Sequence, residues 1–418
     1  MSDLVPEGWS YDQLGDYISE SVAGEWGIEA TGDANDIPVL RSTNFTASGI
    51  IDYSKLAYRN IDERKRLAKS LKFGDIVLEK SGGSPTQPVG RVVYFDKYKP
   101  FLFSNFTQKL SPVDTCDSKF LFYKLYSEYQ NGTVLKFQQQ TTGIINFQLA
   151  EYLGYKSAFP PLPEQQKIAT ILSSVDDVIE KTRAQIDKLK DLKTGMMQEL
   201  LTKGIGHTEF KDSPVGQVPA SWDVIILGDV CEFTQGVQIT SADMVRDNRP
   251  GYIRYMYIRD FTSDSRLWFV KDEHPNKIIT SGDLAMANTG HTSGTVYKGK
   301  YGVLSNNAFK ISFDHDVVET DFLLFFLKSD FFLKKIQQLF NTAGQPHVGH
   351  GNIARMPTPL PPLAEQKRIS SIMNKIETAM QEKEKAYRKY LALKKALMQD
   401  LLTGKVRVKL TDKESAVV

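Results

Sequence analysis

The sequence predicts an α+β protein with two similar mixed α/β domains, each followed by a long α-helix. Residues 160–168 read PPLPEQQKI and residues 361–369 read PPLAEQKRI, a repeat that continues without a gap to Thr202 and Thr403. The chain has 418 residues, which is too long for one ordinary core. Short β-branched runs precede each repeat, whereas the repeat itself has helical periodicity. Together these observations indicate one structural unit that occurs twice.

The repeat extends into the two bodies and sets the expected domain boundaries. The motif VPEGW at residues 5–9 corresponds to VPASW at residues 218–222, and Ser104 corresponds to Ser305. Between such anchors the two sequences differ freely, as we expect of recognition modules with different targets. The expected parts are recognition domain 1 at 1–159, spacer helix 1 at 160–204, recognition domain 2 at 205–358, spacer helix 2 at 359–405 and a C-terminal tail at 406–418.

Each body shows signals for both strands and helices. β-branched and aromatic runs bounded by Gly and Pro predict strands at residues 76–78, 91–95 and 251–258. Apolar residues at helical spacing predict helices at residues 119–129 and 320–340. Each body has about 150 residues, which is near the usual size of a domain.

Each long helix is predicted to begin after a proline-rich stop, because proline fits only before or within the first helical turn. Glu164 and Glu365 then place a carboxylate near a helix N-terminus, where the helix dipole favours it. Apolar residues follow at steps of four and three, so each helix of about 40 residues carries a heptad seam roughly 60 Å long. The residues expected to pair the helices are Ile168, Leu172, Val175, Ile179, Ile186, Leu189, Ile369, Met373, Ile376, Met380, Tyr387 and Tyr390.

The seam of each helix needs a partner, and the simplest partner is the other helix of the same chain. We expect the two helices to pair antiparallel as a coiled coil with pseudo-two-fold symmetry. They would cross near Thr182 and Lys383, which are polar breaks in the seams and can fix the register. The alternative interpretation is a pair of ordinary core helices.

Composition limits the setting of the protein. Hydrophobic residues make up 41% and charged residues 24% of the chain, which is typical of a soluble protein. No apolar run is long enough to cross a bilayer, and the N-terminus lacks the features of a signal peptide. Cys116 and Cys231 lie in different repeats without metal-ligand spacing. We therefore expect a cytoplasmic location, no membrane contact and no disulfide framework.

The doubled proline–EQ motifs, each opening a long helix after a variable body, closely resemble the specificity subunit of type I restriction–modification systems. The motifs VPEGW and VPASW, and the stretches GDIVLEKSGGS at 74–84 and GDLAMANTGHTSG at 282–294, fit the same family. The resemblance covers almost the whole chain. It implies a non-catalytic subunit whose two target-recognition domains each read one half of a split double-stranded DNA site.

The same resemblance implies partners and cofactors outside this chain. The paired helices would set the gap between the half-sites and dock two methyltransferase subunits that use S-adenosylmethionine to methylate adenine. A restriction subunit that uses ATP and Mg²⁺ would join where one is present. The alternative is a non-catalytic scaffold whose helices clamp partner proteins without reading a DNA sequence.

The residues of this chain agree with a non-catalytic interpretation. The sequence contains no phosphate-binding G-x-x-x-x-G-K-[ST] loop, no G-x-G-x-x-G and no H-E-x-x-H motif. His291, His347 and His350 could share a metal ion only with further ligands, and no carboxylate or Cys stands at ligand spacing. We therefore expect no catalytic residue and no metal site, and interpret these histidines as exposed loop residues.

Candidate DNA-binding residues fall in three regions of each repeat, where loops offer amides, hydroxyls and cations for bases and phosphates. The first is an arginine at the end of an early strand. The second is a glycine-rich turn, which lets backbone amides approach a phosphate. The third is an amide-rich loop before the proline-rich stop. The candidate residues in these regions are Arg41, Lys80, Ser81, Gly82, Gly83, Thr86, Gln87, Thr141, Thr142, Asn146, Arg259, Asn288, Thr289, Gly290, His291, Thr292, Gln345 and His347.

Each region also has a purely structural interpretation. The matched arginines could form salt bridges within their domains. The glycine-rich segments could be plain hairpin turns, and the amide-rich segments could be solvated loops. A further basic run between Arg59 and Lys72 is more typical of a solvated helix face than of a phosphate contact. Both bodies are nearly neutral, so local patches rather than a uniform field must bind any DNA.

Overall fold

The computed structural model describes residues 5–84, 86–141, 143–339 and 347–410, and it divides into two compact units. Unit 1 comprises residues 1–183 and 385–418, and unit 2 comprises residues 184–384. Each unit therefore contains one recognition domain, the first half of the helix that follows it and the second half of the other helix.

Unit 1 contains two four-stranded sheets and smaller pairings. Its strands are β1 (Ser10–Gln13), β2 (Ile18–Ala23), β3 (Ile28–Glu29), β4 (Asp36–Leu40), β5 (Ala57–Asn60), β6 (Ile76–Glu79), β7 (Ser81–Gly82), β8 (Val92–Tyr94), β9 (Leu102–Phe103), β10 (Thr107–Pro112), β11 (Gln138–Thr141), β12 (Ile144–Phe147) and β13 (Lys156–Phe159). The main sheet has the antiparallel order β2-β10-β6-β8. The second sheet has the order β3-β5-β4-β9, in which β4 and β9 are parallel.

Unit 2 repeats the main sheet and three strands of the second sheet. Its strands are β14 (Phe210–Lys211), β15 (Val218–Pro219), β16 (Asp223–Ile226), β17 (Cys231–Gln235), β18 (Tyr252–Met256), β19 (Trp268–Lys271), β20 (Ile278–Ile279), β21 (Leu284–Ala287), β22 (Val296–Lys298), β23 (Gly302–Leu304), β24 (Ala308–Phe313) and β25 (Pro357–Leu360). The main sheet has the order β17-β24-β21-β22, and the second sheet has the order β19-β18-β23-β20 with β18 and β23 parallel. The main sheets match strand for strand, and β19-β18-β23 matches β5-β4-β9, so the sequence repeat is also a repeat of topology. The second sheets differ in their fourth strand, which is β3 beside β5 in unit 1 and β20 beside β23 in unit 2.

The shorter helices pack against the sheets, and one of them corrects the prediction from sequence. The helices are α1 (Glu63–Lys69), α2 (Ser118–Gln130), α3 (Leu149–Leu153), α4 (Leu162–Leu200), α5 (Thr320–Leu327), α6 (Asp330–Leu339), α7 (His350–Ala354) and α8 (Leu363–Leu401). The single helix predicted at 320–340 is wrong, because α5 ends before Lys328 and α6 begins at Asp330. The Ser329 hydroxyl binds the Phe326 carbonyl and accepts from the Phe332 amide, so it serves the end of one helix and the start of the next.

The two long helices, α4 and α8, have 39 residues each and run antiparallel. In unit 1 an early residue of α4, Asp176, pairs with a late residue of α8, Lys394, and Glu164 at the start of α4 pairs with Arg407 beyond the end of α8. In unit 2 the corresponding pair is Glu377 with Lys193. The predicted fold class of two mixed domains with antiparallel paired helices is confirmed.

None of the twelve predicted helix-pairing residues is exposed. Six are buried and six are half-buried: Ile168, Leu172, Ile186, Ile369, Met373 and Ile376 in the first group, and Val175, Ile179, Leu189, Met380, Tyr387 and Tyr390 in the second. The two residues predicted as polar breaks in the seams, Thr182 and Lys383, differ in burial. Thr182 is buried and its hydroxyl binds the Val178 carbonyl, whereas Lys383 is exposed and so is not a seam position.

The glutamate of each EQ motif anchors the start of the recognition domain that precedes its helix. The Trp9 indole N–H donates to Glu164 at 3.1 Å, and the Trp222 indole N–H donates to Glu365 at 3.0 Å. These contacts join the V-P-x-x-W motif at each domain start to the helix that follows that domain. These indole–carboxylate hydrogen bonds therefore explain why both motifs recur in both halves of the sequence.

The glutamine of each EQ motif has an equally specific role. The Gln165 side chain accepts from the Asp117 amide at the start of α2 and donates to the Pro160 carbonyl. Gln366 makes the same contacts in unit 2, with the Glu319 amide and the Pro361 carbonyl. Each glutamine thus fixes a recognition-domain helix and the proline-rich stop to the long helix.

Among the described residues, no helix combines the length and apolar character needed to span a membrane.

Candidate nucleic-acid interface

In unit 1 the second and third candidate regions meet in a small three-stranded sheet. β12 pairs with β7 on one side and with β11 on the other. The glycine-rich segment at 81–82 is therefore an edge strand, and the segment at 138–141, predicted as a loop, is a strand of a β-hairpin. The expectation of two separate loops is corrected to one continuous surface.

Cross-strand register aligns polar side chains across this sheet. Gln139 of β11 lies opposite Asn146 of β12, and Asn146 lies opposite Ser81 of β7. Residues paired across neighbouring strands share one face of a sheet, so these three form a row. The Ser81 hydroxyl contacts the Asn146 amide oxygen at 2.8 Å, which holds the amide in place. We call this row, together with the neighbouring residues Ser84, Thr86 and Gln87, patch 1.

The turn of patch 1 presents two exposed side chains. Thr86 and Gln87 are both exposed, and the Ser84 hydroxyl accepts from the Gln87 backbone amide at 3.1 Å. A cleft of about 360 Å³ lies beside them, and buried Arg91 is part of its lining. Arg91 pairs with Glu79 at 2.7 Å, so its charge is neutralised within the domain and it supports the cleft instead of projecting from it.

Lys80 lies between β6 and patch 1, where its backbone bonds Phe106 and Phe147. Burial, together with the nearby charge of Lys69, lowers the pKa of the Lys80 ammonium group. Lys69, whose charge contributes to this shift, is the last residue of the basic helix α1. Within α1, however, Lys65 and Lys69 both pair with Glu25, so much of its charge is already neutralised.

Unit 2 brings the equivalent segments together. Thr289 and His347 form an isolated antiparallel bridge, and the Val348 amide donates to the Asn288 carbonyl at 3.0 Å. His347 stands 201 residues after Asn146, so the same pairing occurs at equivalent places in both units. His291 and His347 are exposed. We call Thr289, His291, Thr292 and His347 patch 2.

Two candidates next to patch 2 in the sequence have structural roles instead of exposed reading positions. Asn288 is buried, and its amide donates to the Gln235 side chain at 3.1 Å. It therefore positions the turn and does not project from it. Gly290 begins a short 3-10 turn to Thr292 with a positive φ of 77°, a conformation that glycine adopts without strain.

The predicted correspondence of Arg41 with Arg259 is wrong by two residues. Strand register matches Leu40 with Met256. Leu40 is the last residue of β4, which pairs parallel with β9, and Met256 is the last residue of β18, which pairs parallel with β23. Arg41 therefore corresponds to Tyr257, and both are N-cap residues of a short 3-10 turn. Arg41 is half-buried and donates to the Lys55 carbonyl, whereas the Arg259 side chain is 44% exposed.

Some candidates cannot be placed. Thr142 and Gln345 lie outside the described residues, and for Thr141 only the backbone, at the end of β11, is described. Gly82 and Gly83 both have positive φ, at the end of β7 and directly after it. Among the described residues there is no group of three or more metal-ligating side chains.

Gln139 is a candidate that residue-by-residue reasoning missed. Its amide is exposed, and amide side chains are suited to the donor and acceptor pattern of adenine. The signal was the run Gln138-Gln139-Gln140, but only strand register shows which of the three aligns with Asn146.

Comparisons with known proteins agree with this geometry. A profile of the family described as "Type I restriction modification DNA specificity domain" matches residues 6–191 and 219–389. Two relatives from Methanocaldococcus jannaschii are similar over 97% of this chain. The type I restriction enzyme MjaVIII specificity subunit is 28% identical over 94% of its own length, and the putative MjaX specificity subunit is 26% identical over 95% of its own length.

Solved structures share the fold. The S subunit of a type I restriction–modification system from M. genitalium aligns with a TM-score of 0.59 and 15% identity, over 96% of this chain and 97% of that chain. A chain from a structural study of complex assembly and conformational transition in the type I R-M system aligns with a TM-score of 0.55 and 16% identity, over 96% and 99%.

Proposed function

The chain belongs to the family of type I restriction–modification DNA specificity subunits, and we propose that patch 1 and patch 2 each read one half of a bipartite DNA site. As a specificity subunit it is not the catalytic subunit of its complex. It supplies the DNA sequence specificity of the complex. Its partners are DNA and the other restriction–modification subunits.

The observation that carries the proposal is the equivalent pairing at Asn146 with Ser81 and at His347 with Thr289. Both pairings join a glycine-rich turn to a polar segment at the same place in the fold, yet their side chains differ. Amides and hydroxyls in patch 1 suit base edges and phosphates, and histidines in patch 2 give a different set of donors. The same backbone arrangement with different side chains is what recognition of two different half-sites requires.

Two grooves support the proposal that one methyltransferase subunit docks on each unit. Groove 1, of about 570 Å³ in unit 1, is lined by Lys395, Met398 and Gln399 of α8 together with the end of α2. Groove 2, of about 410 Å³ in unit 2, is lined by Thr194, Met197 and Gln198 of α4 together with the α5–α6 junction. The three helix residues of groove 1 stand 201 positions after those of groove 2. Two equivalent grooves suit two copies of one partner.

Chemistry would then reside in the partners. S-adenosylmethionine is proposed to bind in the methyltransferase subunits, and ATP and Mg²⁺ in a restriction subunit where one is present. The proposed role of this chain is to hold the DNA and to fix where the methyl group is delivered.

A docking test uses two leucines of α8 that are similarly exposed. Leu391 is 41% exposed and lines groove 1, whereas Leu393 is 44% exposed and is not part of that lining. We expect Leu391→Arg to reduce the co-purified methyltransferase from two copies to one, because it replaces an apolar contact with a longer cation beside Lys394 and Lys395 of the same lining. Leu393→Arg should leave two copies. Equal stoichiometry for both variants would contradict docking at groove 1.

A reading test uses the assembled complex and duplexes that carry its methylated motif. We expect Asn146→Ala to weaken discrimination at one half-site and His347→Ala at the other, each by about 1–3 kcal/mol. Stable complexes that bind all duplexes equally would instead favour a protein scaffold without sequence reading.

A further inference from the structure

Three arginines of unit 2 converge on the short segment that leads into β19. Arg246 donates to the Leu267 carbonyl and Arg259 donates to the Arg266 carbonyl, both at 3.4 Å. Two successive carbonyl groups of this segment thus accept hydrogen bonds from two different arginines. The third arginine, Arg266, is part of the segment itself. All three side chains reach the solvent.

Two of these arginines rest on aromatic rings. The Arg246 guanidinium lies 3.5 Å from the Trp268 ring centroid, and the Arg259 guanidinium lies 4.9 Å from the Tyr257 centroid. A stacked guanidinium is held in orientation while its in-plane N–H groups stay available, so less side-chain entropy is lost on binding. The aromatic stacks therefore hold guanidinium N–H donors in a fixed orientation at the surface.

The positive charge of this cluster is only partly neutralised. Arg259 lies 3.4 Å from the buried carboxylate of Asp260. Among the described residues, Arg246 and Arg266 have no carboxylate within ion-pair distance. Gathering like charges costs free energy in the unbound protein, and a single cation–π stack at the surface contributes little to stability. Stabilisation of the fold alone is therefore a weak reason for this arrangement.

The cluster is specific to unit 2. By strand register, Trp268 corresponds to Ala57 of unit 1, because Trp268 lies opposite Tyr255 and Ala57 lies opposite Val39. Tyr257 corresponds to Arg41. Neither aromatic ring therefore has an equivalent in unit 1, as expected if the two units meet different DNA sequences.

We propose that Arg246, Arg259 and Arg266 form a second DNA contact of unit 2, which binds phosphate oxygens or the O6 and N7 acceptors of guanine in the half-site that patch 2 reads. The inference rests on the proposed function of sequence-specific DNA binding. Both acceptors are recognised by the same paired N–H donors of a guanidinium group.

The test measures the affinity of the complete methyltransferase complex for duplexes that carry its methylated motif, at several salt concentrations. Arg266→Ala is the decisive variant, because its guanidinium makes no hydrogen bond or ion pair with a described residue and folding does not depend on it. We expect Arg246→Ala and Arg266→Ala each to weaken binding roughly 5- to 100-fold. Lys271→Ala, at the other end of β19, should bind like the wild type.

The salt dependence and the base preference of the variants distinguish a phosphate contact from a guanine contact. Loss of a phosphate contact weakens binding to all sequences and reduces the salt slope by about one. Loss of a guanine contact relaxes the preference at one base pair of one half-site. Arg246→Lys keeps the charge but loses paired donors, so it should restore non-specific binding better than it restores discrimination.

Wild-type affinity and discrimination in both alanine variants, with unchanged melting temperatures, would overturn the inference. A wild-type complex without preference for a bipartite sequence would overturn the proposed function as well. The two failures are therefore distinguishable.

Discussion

Lys394 of α8 lies 2.7 Å from Asp176 of α4, with the lysine side chain 10% exposed. The equivalent ion pair joins Lys193 to Glu377 at 2.6 Å in unit 2. Each residue of the first pair has its counterpart 201 positions away in the second. The sequence repeat therefore encodes the antiparallel register of the helices, because the same two heptad positions form an ion pair in both units.

Removing the lysine of this pair should destabilise the chain. Lys394→Met leaves the half-buried Asp176 carboxylate with Tyr123 as its remaining strong partner, and we expect a loss of about 2 kcal/mol. Lys190→Met is the control, because the Lys190–Asp187 pair is exposed and should contribute almost nothing. Chemical unfolding of the full chain measures both. Equal losses for the two variants would show that the interhelical pair is not special.

A close backbone approach recurs in both units and gives a second prediction. A Cβ atom on Gly24 would lie 2.1 Å from the Ser104 carbonyl oxygen, and one on Gly236 would lie 2.0 Å from that of Ser305. Backbone atoms cannot give way as a flexible side chain can. We expect Gly24→Ala and Gly236→Ala each to cost about 3 kcal/mol.

Gly195 provides the control for these glycines. It lies within α4 and a Cβ there meets no atom within 4 Å. Gly195→Ala should stabilise the chain by about 0.5–1 kcal/mol, because alanine has less backbone freedom to lose. Thermal unfolding would contradict the account if all three variants shifted the melting temperature in one direction.

The anchoring carboxylate of unit 2 should make stability depend on pH. Burial favours the neutral acid, but hydrogen bonds from the Ile205 amide, His207 and Trp222 outweigh it and hold the pKa of Glu365 below its ordinary value. A lowered pKa stabilises the folded state above the unfolded value of 4.5, and this contribution is lost as the pH falls through the folded value.

Glu365→Gln should therefore be less stable than the wild type at neutral pH, and the difference should shrink as the pH falls below about 5. Melting temperatures measured between pH 7 and pH 3 test this expectation. Glu199→Gln, an exposed residue of α4, is the control and should show little difference at any pH. A constant gap between wild type and Glu365→Gln would contradict the assigned role.

The proposed gap-setting role of the helices predicts a change in spacing. One heptad inserted after Arg183 in α4 and one after Glu384 in α8 keeps each lysine–carboxylate pair within its own unit and preserves the seam. Seven residues add about 10 Å, so the preferred gap should grow by roughly three base pairs. Methylation mapping would show the new gap. An unchanged gap with an active complex would mean that the helices do not set it.

The long helices were the most predictable part of the structure. Periodicity over five heptads and proline-rich stops are local signals, so residues 160–204 and 359–405 enclose α4 and α8 closely. The break at Ser329 was missed because the apolar pattern continues across it, and only the hydroxyl contacts with two helix ends reveal the stop.

The candidate site was less predictable, because it depends on pairing between distant segments. Ser81 and Asn146 are 65 residues apart, and nothing local to either indicates that they meet. The same limit explains the wrong match of Arg41 with Arg259, since similar short sequences suggested a correspondence that strand register moves to Tyr257.

Genome-wide mapping of methylated adenines tests the central claim most directly. The map is compared between the wild type and a chain in which residues 205–357 are replaced by the corresponding body of another family member. If each unit reads its own half-site, one half of the methylated motif changes while the other half and the gap are kept. A motif in which both halves change, or neither does, would contradict the claim.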